Sequence, residues 1–272
     1  MDKYNIYPAL HHDLFAVVDY PKEITEQIGK AEPWRAFCEL PLELKKQFYF
    51  SGENKQEDVG YLLRKRSEGR EDKEYYHFDG ARHMERIRER GLADTVKDNP
   101  VLTAFFEFCD ATYHSATDMV RRIVDATETD ILGLTDQVFR EGKPPAMLRF
   151  LHYTPLRDDD PILADQHFDR GGFTLHLYES DSGLQLLDWD YKWIDAPISR
   201  GKTVVFTGYT LDKFTKGACQ KTWHRVARIK NDARDNKGRF SIVYFIELSS
   251  DVPTYNFSAR SQVEKPHYER TS

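Results

Sequence analysis

The chain has 272 residues, 40% hydrophobic and 31% charged, a mixture that supports a packed globular core and argues against disorder. Its formal net charge is −6, so it has no overall basic field to attract nucleic acid or an anionic membrane. Cys38, Cys109 and Cys219 are widely spaced and form no CxxC pattern, which argues against a disulfide framework or a structural zinc cluster and for a reducing cytosol.

Met1 to Asn5 lacks the basic and then apolar regions of a secretory leader, and no apolar run approaches the roughly 20 residues needed to span a bilayer. A cytoplasmic protein is therefore expected. Without repeats or a long Pro/Gly/Ser linker, residues 1–272 are expected to form one domain. Its parts are a mainly helical support region (1–140), a strand-rich core (141–250) and a polar tail (251–272). A short strand is expected around Leu14–Val18 and a helix around Leu42–Phe48. Arg64-Lys65-Arg66 is followed closely by Glu68, Glu71 and Asp72, the pattern of a solvated mixed-charge face. The clearest helix opens at Asn99-Pro100, where Asn caps and Pro fits the first helical position. Leu102, Phe105, Phe106, Cys109, Tyr113, Ala116, Met119, Val120, Ile123 and Val124 then recur at three- and four-residue spacing, one apolar face to lie along a sheet.

From Ala146 the segments shorten and become rich in β-branched and aromatic residues. Strands are predicted over Met147–Tyr153, Phe173–Tyr178, Leu184–Trp189, Thr203–Thr207, Thr222–Ile229 and Phe240–Leu248, punctuated by Gly171-Gly172, Gly183, Gly201 and Gly238. Many short strands separated by turns suggest a barrel or jelly roll carried by N-terminal helices.

His167-Phe168-Asp169 stands out as a metal-binding pattern. On a strand, residues i and i+2 share a face, so an imidazole and a carboxylate can converge on one ion. His224, in a later predicted strand, can supply the second imidazole. Such a facial triad leaves positions open and suits Fe(II). His-x-Asp alone is weak, because His11-His12-Asp13 and His77-Phe78-Asp79 repeat it. His77 sits in a polar stretch (Arg70 to Tyr76) where no strand ladder is expected, and only the third copy is followed by strands, a distant histidine and a further motif. That motif is Arg239-Phe240-Ser241, whose guanidinium and hydroxyl share a strand face and could grip a carboxylate.

Taken together, these residues resemble the isopenicillin N synthase-like family of Fe(II)/2-oxoglutarate-dependent dioxygenases. The likeness runs from about Leu14 to Leu248 through ordered blocks: Leu148-Arg149-Phe150-Leu151-His152-Tyr153-Thr154-Pro155, Gly183-Leu184-Gln185, Trp193 to Pro197, Gly201 to Phe206, and His224-Arg225-Val226. The resemblance implies a distorted double-stranded β-helix. It also implies iron on His167, Asp169 and His224, and 2-oxoglutarate on Arg239 and Ser241 with Tyr153 as a third contact. O2 would be the oxidant and succinate and CO2 the co-products, with hydroxylation of a small-molecule C–H as the default. Departures from the pattern are an apparent hairpin insertion at Asn231–Lys237, Gly208-Tyr209 where Gly-Asp is usual, and Arg170-Gly171-Gly172 after the carboxylate. Arg239 is preferred to Arg234 because only Arg239 is followed by the serine and a strand. Two alternatives stay open: an iron oxidase of the same fold that uses no 2-oxoglutarate, and a non-catalytic jelly-roll binding protein. Arg170 hints at a carboxylate-bearing substrate, with a structural salt bridge as the alternative. Substrate identity and oligomeric state are not legible.

Overall fold

In the computed structural model the described residues are 6–20, 22–29, 31–52, 58–65, 73–140, 146–154, 162–199, 201–227, 238–249 and 266–268. Among them twelve strands follow one another in the chain. They are β1 (Phe15–Asp19), β2 (Tyr49–Phe50), β3 (Val59–Arg64), β4 (Lys73–Phe78), β5 (Ala146–Tyr153), β6 (Ile162–His167), β7 (Phe173–Glu179), β8 (Leu184–Leu187), β9 (Trp193–Asp195), β10 (Lys202–Thr207), β11 (His224–Ala227) and β12 (Arg239–Ile246). Eight form one sheet in the order β1-β10-β7-β12-β5-β4-β3-β2, and four form a second in the order β6-β11-β8-β9. The named pairings are all antiparallel.

Period-2 alternation assigns two faces to the larger sheet. Leu148 and Phe150 of β5, with Phe240, Ile242, Tyr244 and Ile246 of β12, join the main core against the helices. The intervening Leu151, Tyr153 and Val243 pack instead with Leu163, Ala164 and Val226 of the smaller sheet. Leu184 and Leu186 meet Val204 and Phe206 in the same way. The sheets thus face each other across an apolar interior, the mainly β jelly-roll architecture expected.

The long helix is Pro100–Thr127, and its Asn99 cap accepts hydrogen bonds from Val101 N at 3.0 Å and Leu102 N at 3.2 Å, a cap worth about 1 kcal/mol. Its apolar stripe covers the back of the larger sheet. Tyr113 Oη donates to the Ala146 carbonyl at 3.3 Å, and the Thr117 and Tyr244 hydroxyls lie 2.6 Å apart. The helix around Leu42 is present over Leu42–Lys46.

Among the described residues the first 140 carry helices from Ile6–His12 to Leu134–Val138, but they contribute more to the sheets than the single strand expected around Leu14–Val18. They supply β1 through β4, half of the larger sheet. The polar stretch around His77 is a buried central strand, β4, paired to β3 and β5. Its polar side chains meet partners from distant segments, which hides the strand from local pattern.

Candidate active site

β6 and β11 pair so that His167 and His224 are direct Cα partners, with ring centroids 4.2 Å apart. Asp169 lies two residues beyond the end of β6, so it reaches the histidines from the following turn and not from a shared strand face. His167 Nε2 is 4.0 Å from Asp169 Oδ1, and His224 Nε2 is 3.7 Å from Asp169 Oδ2. All three ligand atoms lie within 4.8 Å of one another.

Backbone carbonyls fix which nitrogens face inward. His167 Nδ1 lies 2.7 Å from Asp165 O, and His224 Nδ1 lies 3.2 Å from Thr222 O. Only an N–H can donate to a carbonyl, so each Nε2 presents its lone pair to the centre. Burial and the neighbouring His167 depress His224 to a pKa of about 4, so its ring is neutral at pH 7. Burial acts to raise the Asp169 pKa, but the charge the two imidazoles carry when protonated, the Thr174 hydroxyl, which donates to Oδ2 at 2.5 Å, and the nearby Arg149 hold it below the ordinary carboxylate range. Two lone pairs and one anion therefore converge, and the donor set fits a divalent iron with open coordination positions.

The turn carrying Asp169 is clamped from the other side. Tyr209 N donates to Asp169 O at 2.8 Å, and Gly208 N donates to Gly172 O at 2.7 Å. A Cβ on Gly208 would sit 2.2 Å from Gly171 O, so only glycine permits this approach. Tyr209, in place of the expected acid, contributes through its backbone.

Arg239 and Ser241 are both buried on the inner face of β12, and Tyr153 is the register partner of Arg239 on β5. Arg239 Nη2 donates to Glu179 Oε2 at 2.6 Å and Nε donates to Asp181 O at 3.1 Å, while buried Nη1 has no partner. The guanidinium is thus oriented with one nitrogen left for an acceptor such as a carboxylate. Arg234, the proposed hairpin Asn231–Lys237 and nearly all of the C-terminal tail lie outside the described residues.

The other His-x-Asp copies do different work. His11 lies in the Ile6–His12 helix with Nδ1 2.5 Å from Ala218 O. His77 Nδ1 lies 3.1 Å from Asp58 O, while Asp79 accepts from Arg86 at 2.7 and 2.8 Å. His152 is 2.8 Å from Glu74, and His176 is 3.4 Å from Glu179. Among the described residues, the cluster of possible metal ligands at this site contains only His167, Asp169 and His224. Sequence reading missed Thr174 and Glu179, whose contacts with Asp169 and Arg239 exist only in the folded chain.

The 2OG-Fe(II) oxygenase superfamily model matches residues 144–248. The 2-oxoglutarate-dependent dioxygenase citB of Monascus ruber is 33% identical over 119 residues, 42% of this chain and 35% of that protein. The match thus spans about a third of such curated relatives. A 2OG-Fe(II) oxygenase family protein from Caulobacter crescentus superposes with TM-score 0.71 at 25% identity, covering 91% of this chain and 82% of that one. A full-length Neurospora crassa protein in complex with alpha-KG and thymine shares the fold, with TM-score 0.72 at 19% identity over 90% of this chain and 80% of its own.

Proposed function

We propose that the chain, whose residues 144–248 match the 2OG-Fe(II) oxygenase superfamily model, is a non-haem iron oxidoreductase of that superfamily, an Fe(II)/2-oxoglutarate-dependent dioxygenase. Its reaction would be oxidation, by default hydroxylation, of an unactivated C–H in a small molecule. When bound, iron with 2-oxoglutarate and O2 supplies the oxidising power, and succinate and CO2 leave as co-products.

The observation that carries this reading is a pairing across the two sheets. Two imidazoles with locked tautomers and one carboxylate stand on the smaller sheet's side, and a buried guanidinium nitrogen without a partner stands on the larger sheet. His167, Asp169 and His224 would hold the metal, and Thr174 and the two carbonyls would keep their orientation. Arg239 would take the distal carboxylate of 2-oxoglutarate beside Ser241 and Tyr153, with Glu179 holding the guanidinium plane. Apolar residues between the sheets, Leu163, Ala164, Val226 and Val243, pack into one buried cluster. A structural metal usually closes its coordination with four protein ligands, and three suit a reactive centre. We read residues 1–272 as one oxygenase domain. Among the described residues no helix is long and apolar enough to cross a membrane, and the free thiols of Cys38, Cys109 and Cys219 fit a cytoplasmic setting.

Anaerobic reconstitution with Fe(II) followed by 2-oxoglutarate titration tests the proposal. A saturable visible charge-transfer band that Arg239→Ala abolishes is expected. Iron uptake without a band would favour the oxidase that dispenses with 2-oxoglutarate, and no iron uptake would leave a non-catalytic binding protein.

A further inference from the structure

The inner face of the larger sheet carries a second guanidinium, and the function above does not use it. Arg149 sits on β5 opposite Val243, whereas Tyr153, four residues on, sits opposite Arg239. At roughly 3.4 Å per residue the two arginines are on the order of 13 Å apart along the sheet. Arg149 marks the end nearer Asp169. Next to it Phe245 is the register partner of Thr174, whose hydroxyl holds Asp169.

The immediate partners of Arg149 orient it without neutralising it. Its Nε donates to His77 Nε2 at 2.6 Å. His77 can accept there because its Nδ1–H is directed at the Asp58 carbonyl, 3.1 Å away, and burial followed by the arginine's own charge keeps that imidazole neutral. The guanidinium carbon lies 4.5 Å from the Phe245 ring centroid and 5.6 Å from that of Tyr75, so aromatic rings flank it. Among the described residues no carboxylate lies within ion-pair distance of Arg149. Of the carboxylates, Asp169 acts on it most strongly and is committed to the triad, while Glu247 also feels its charge but is acted on more strongly by Arg170. A half-buried guanidinium held in place by a neutral relay lacks the counter-ion that a structural arginine would have.

We infer that Arg149 is the substrate-binding cation of this site, and that the substrate is a small molecule whose carboxylate docks on Arg149 while its apolar body rests against Phe245 and Tyr75. This rests on the dioxygenase reading and adds a substrate class to it. Two guanidiniums at opposite ends of one face would then divide the labour, Arg239 taking 2-oxoglutarate and Arg149 taking the substrate. The target C–H would fall between them, beside the metal position.

The test is calorimetric and needs no turnover. Fe(II) and saturating 2-oxoglutarate are added anaerobically to the full chain, which occupies both the metal and Arg239. Benzoate, phenylacetate and cyclohexanecarboxylate are then titrated, each beside its neutral amide. The expected result is that at least one carboxylate binds about 10–100-fold more tightly than its amide, the range of a charge-assisted hydrogen bond. Arg149→Gln should erase that preference while leaving the 2-oxoglutarate titration within twofold of wild type. Arg149→Lys, which keeps the charge and loses the fork, should retain part of it, and melting temperatures would verify that both variants are folded. Equal binding of acid and amide, no binding by any of the three acids, or a loss of 2-oxoglutarate affinity in Arg149→Gln would each overturn the inference. Failure of the dioxygenase reading is seen separately, as an absence of 2-oxoglutarate binding before any probe is added.

Discussion

Two clusters of histidine and carboxylate lie on opposite sides of the larger sheet, and they meet the same electrostatic problem in opposite ways. On the helix-covered side, Glu74 is buried and both of its oxygens are engaged. Oε2 takes Lys45 Nζ at 2.6 Å and the Tyr61 hydroxyl at 2.8 Å, and Oε1 lies 2.8 Å from His152 Nδ1. The His152 ring stacks on Phe240 with centroids 4.1 Å apart. Burial alone would raise the Glu74 pKa, but the His152, Lys45 and Tyr61 donors bring it down to about 2. On the interior side, Asp169 receives one hydroxyl hydrogen bond, from Thr174, and otherwise faces two imidazole lone pairs. Cys38, Glu74 and His152 also bring three possible ligands together, so proximity of ligands does not distinguish the two clusters. What distinguishes them is that the first already contains its cation, the Lys45 ammonium, and the second lacks one.

The largest effect expected of this difference is at the triad. His167→Ala or Asp169→Ala should remove tight iron binding, read by metal analysis after desalting, and reduce 2-oxoglutarate turnover beyond the roughly 10–100-fold that outer-shell partners command. Metal-free melting temperature should hardly move, because the triad is not a closed hydrogen-bond network. Glu74→Gln should do the reverse. It leaves the Lys45 ammonium buried without an anion, a change that typically costs ~3–5 kcal/mol, so the melting temperature should fall while iron stoichiometry stays unchanged. The pH dependence follows from the depressed Glu74 pKa. Its contribution is fully present above the ordinary glutamate value of 4.5 and is lost as pH falls toward about 2. Wild-type stability should therefore decline below about pH 4.5 more steeply than that of Glu74→Gln.

The same contrast explains what the sequence could and could not reveal. The convergence of His167, Asp169 and His224 was legible because they sit in short motifs among predicted strands, and so was the shared strand face of Arg239 and Ser241. β4 was not, because Lys73-Glu74-Tyr75-Tyr76-His77-Phe78 looks like an exposed polar stretch. The groups that allow Glu74 and His77 to be buried, Lys45, His152 and Arg149, lie 29 or more residues away in the chain. The Asp169 geometry was misjudged for a related reason. β6 ends at His167, and the carboxylate is aimed by the clamp from Gly208 and Tyr209, which only the tertiary fold supplies. Glu179 was likewise hidden, since its role exists only through its 2.6 Å contact with Arg239.

A smaller effect should follow from weakening the triad's one internal donor. Thr174→Val removes the hydroxyl from Asp169 Oδ2 at nearly constant volume, and iron affinity measured by competition with a chelator should drop about 10–100-fold. Unchanged affinity would mean that the backbone clamp alone orients the carboxylate.

The smallest effect would show whether the internal cation is what separates the clusters. Lys45→Ala in an Asp169→Ala background, where the triad no longer competes for metal, leaves Glu74, His152 and Cys38 facing an empty cationic position. Zn(II) should then raise the melting temperature by ~2–4 °C, equivalent to about 1 kcal/mol for a chain of this size. It should not move the Asp169→Ala protein that keeps Lys45. Recovery should stay partial, because burial and the neighbouring Glu74 push the Cys38 thiol pKa well up, and zinc must displace that proton before the sulfur can bind.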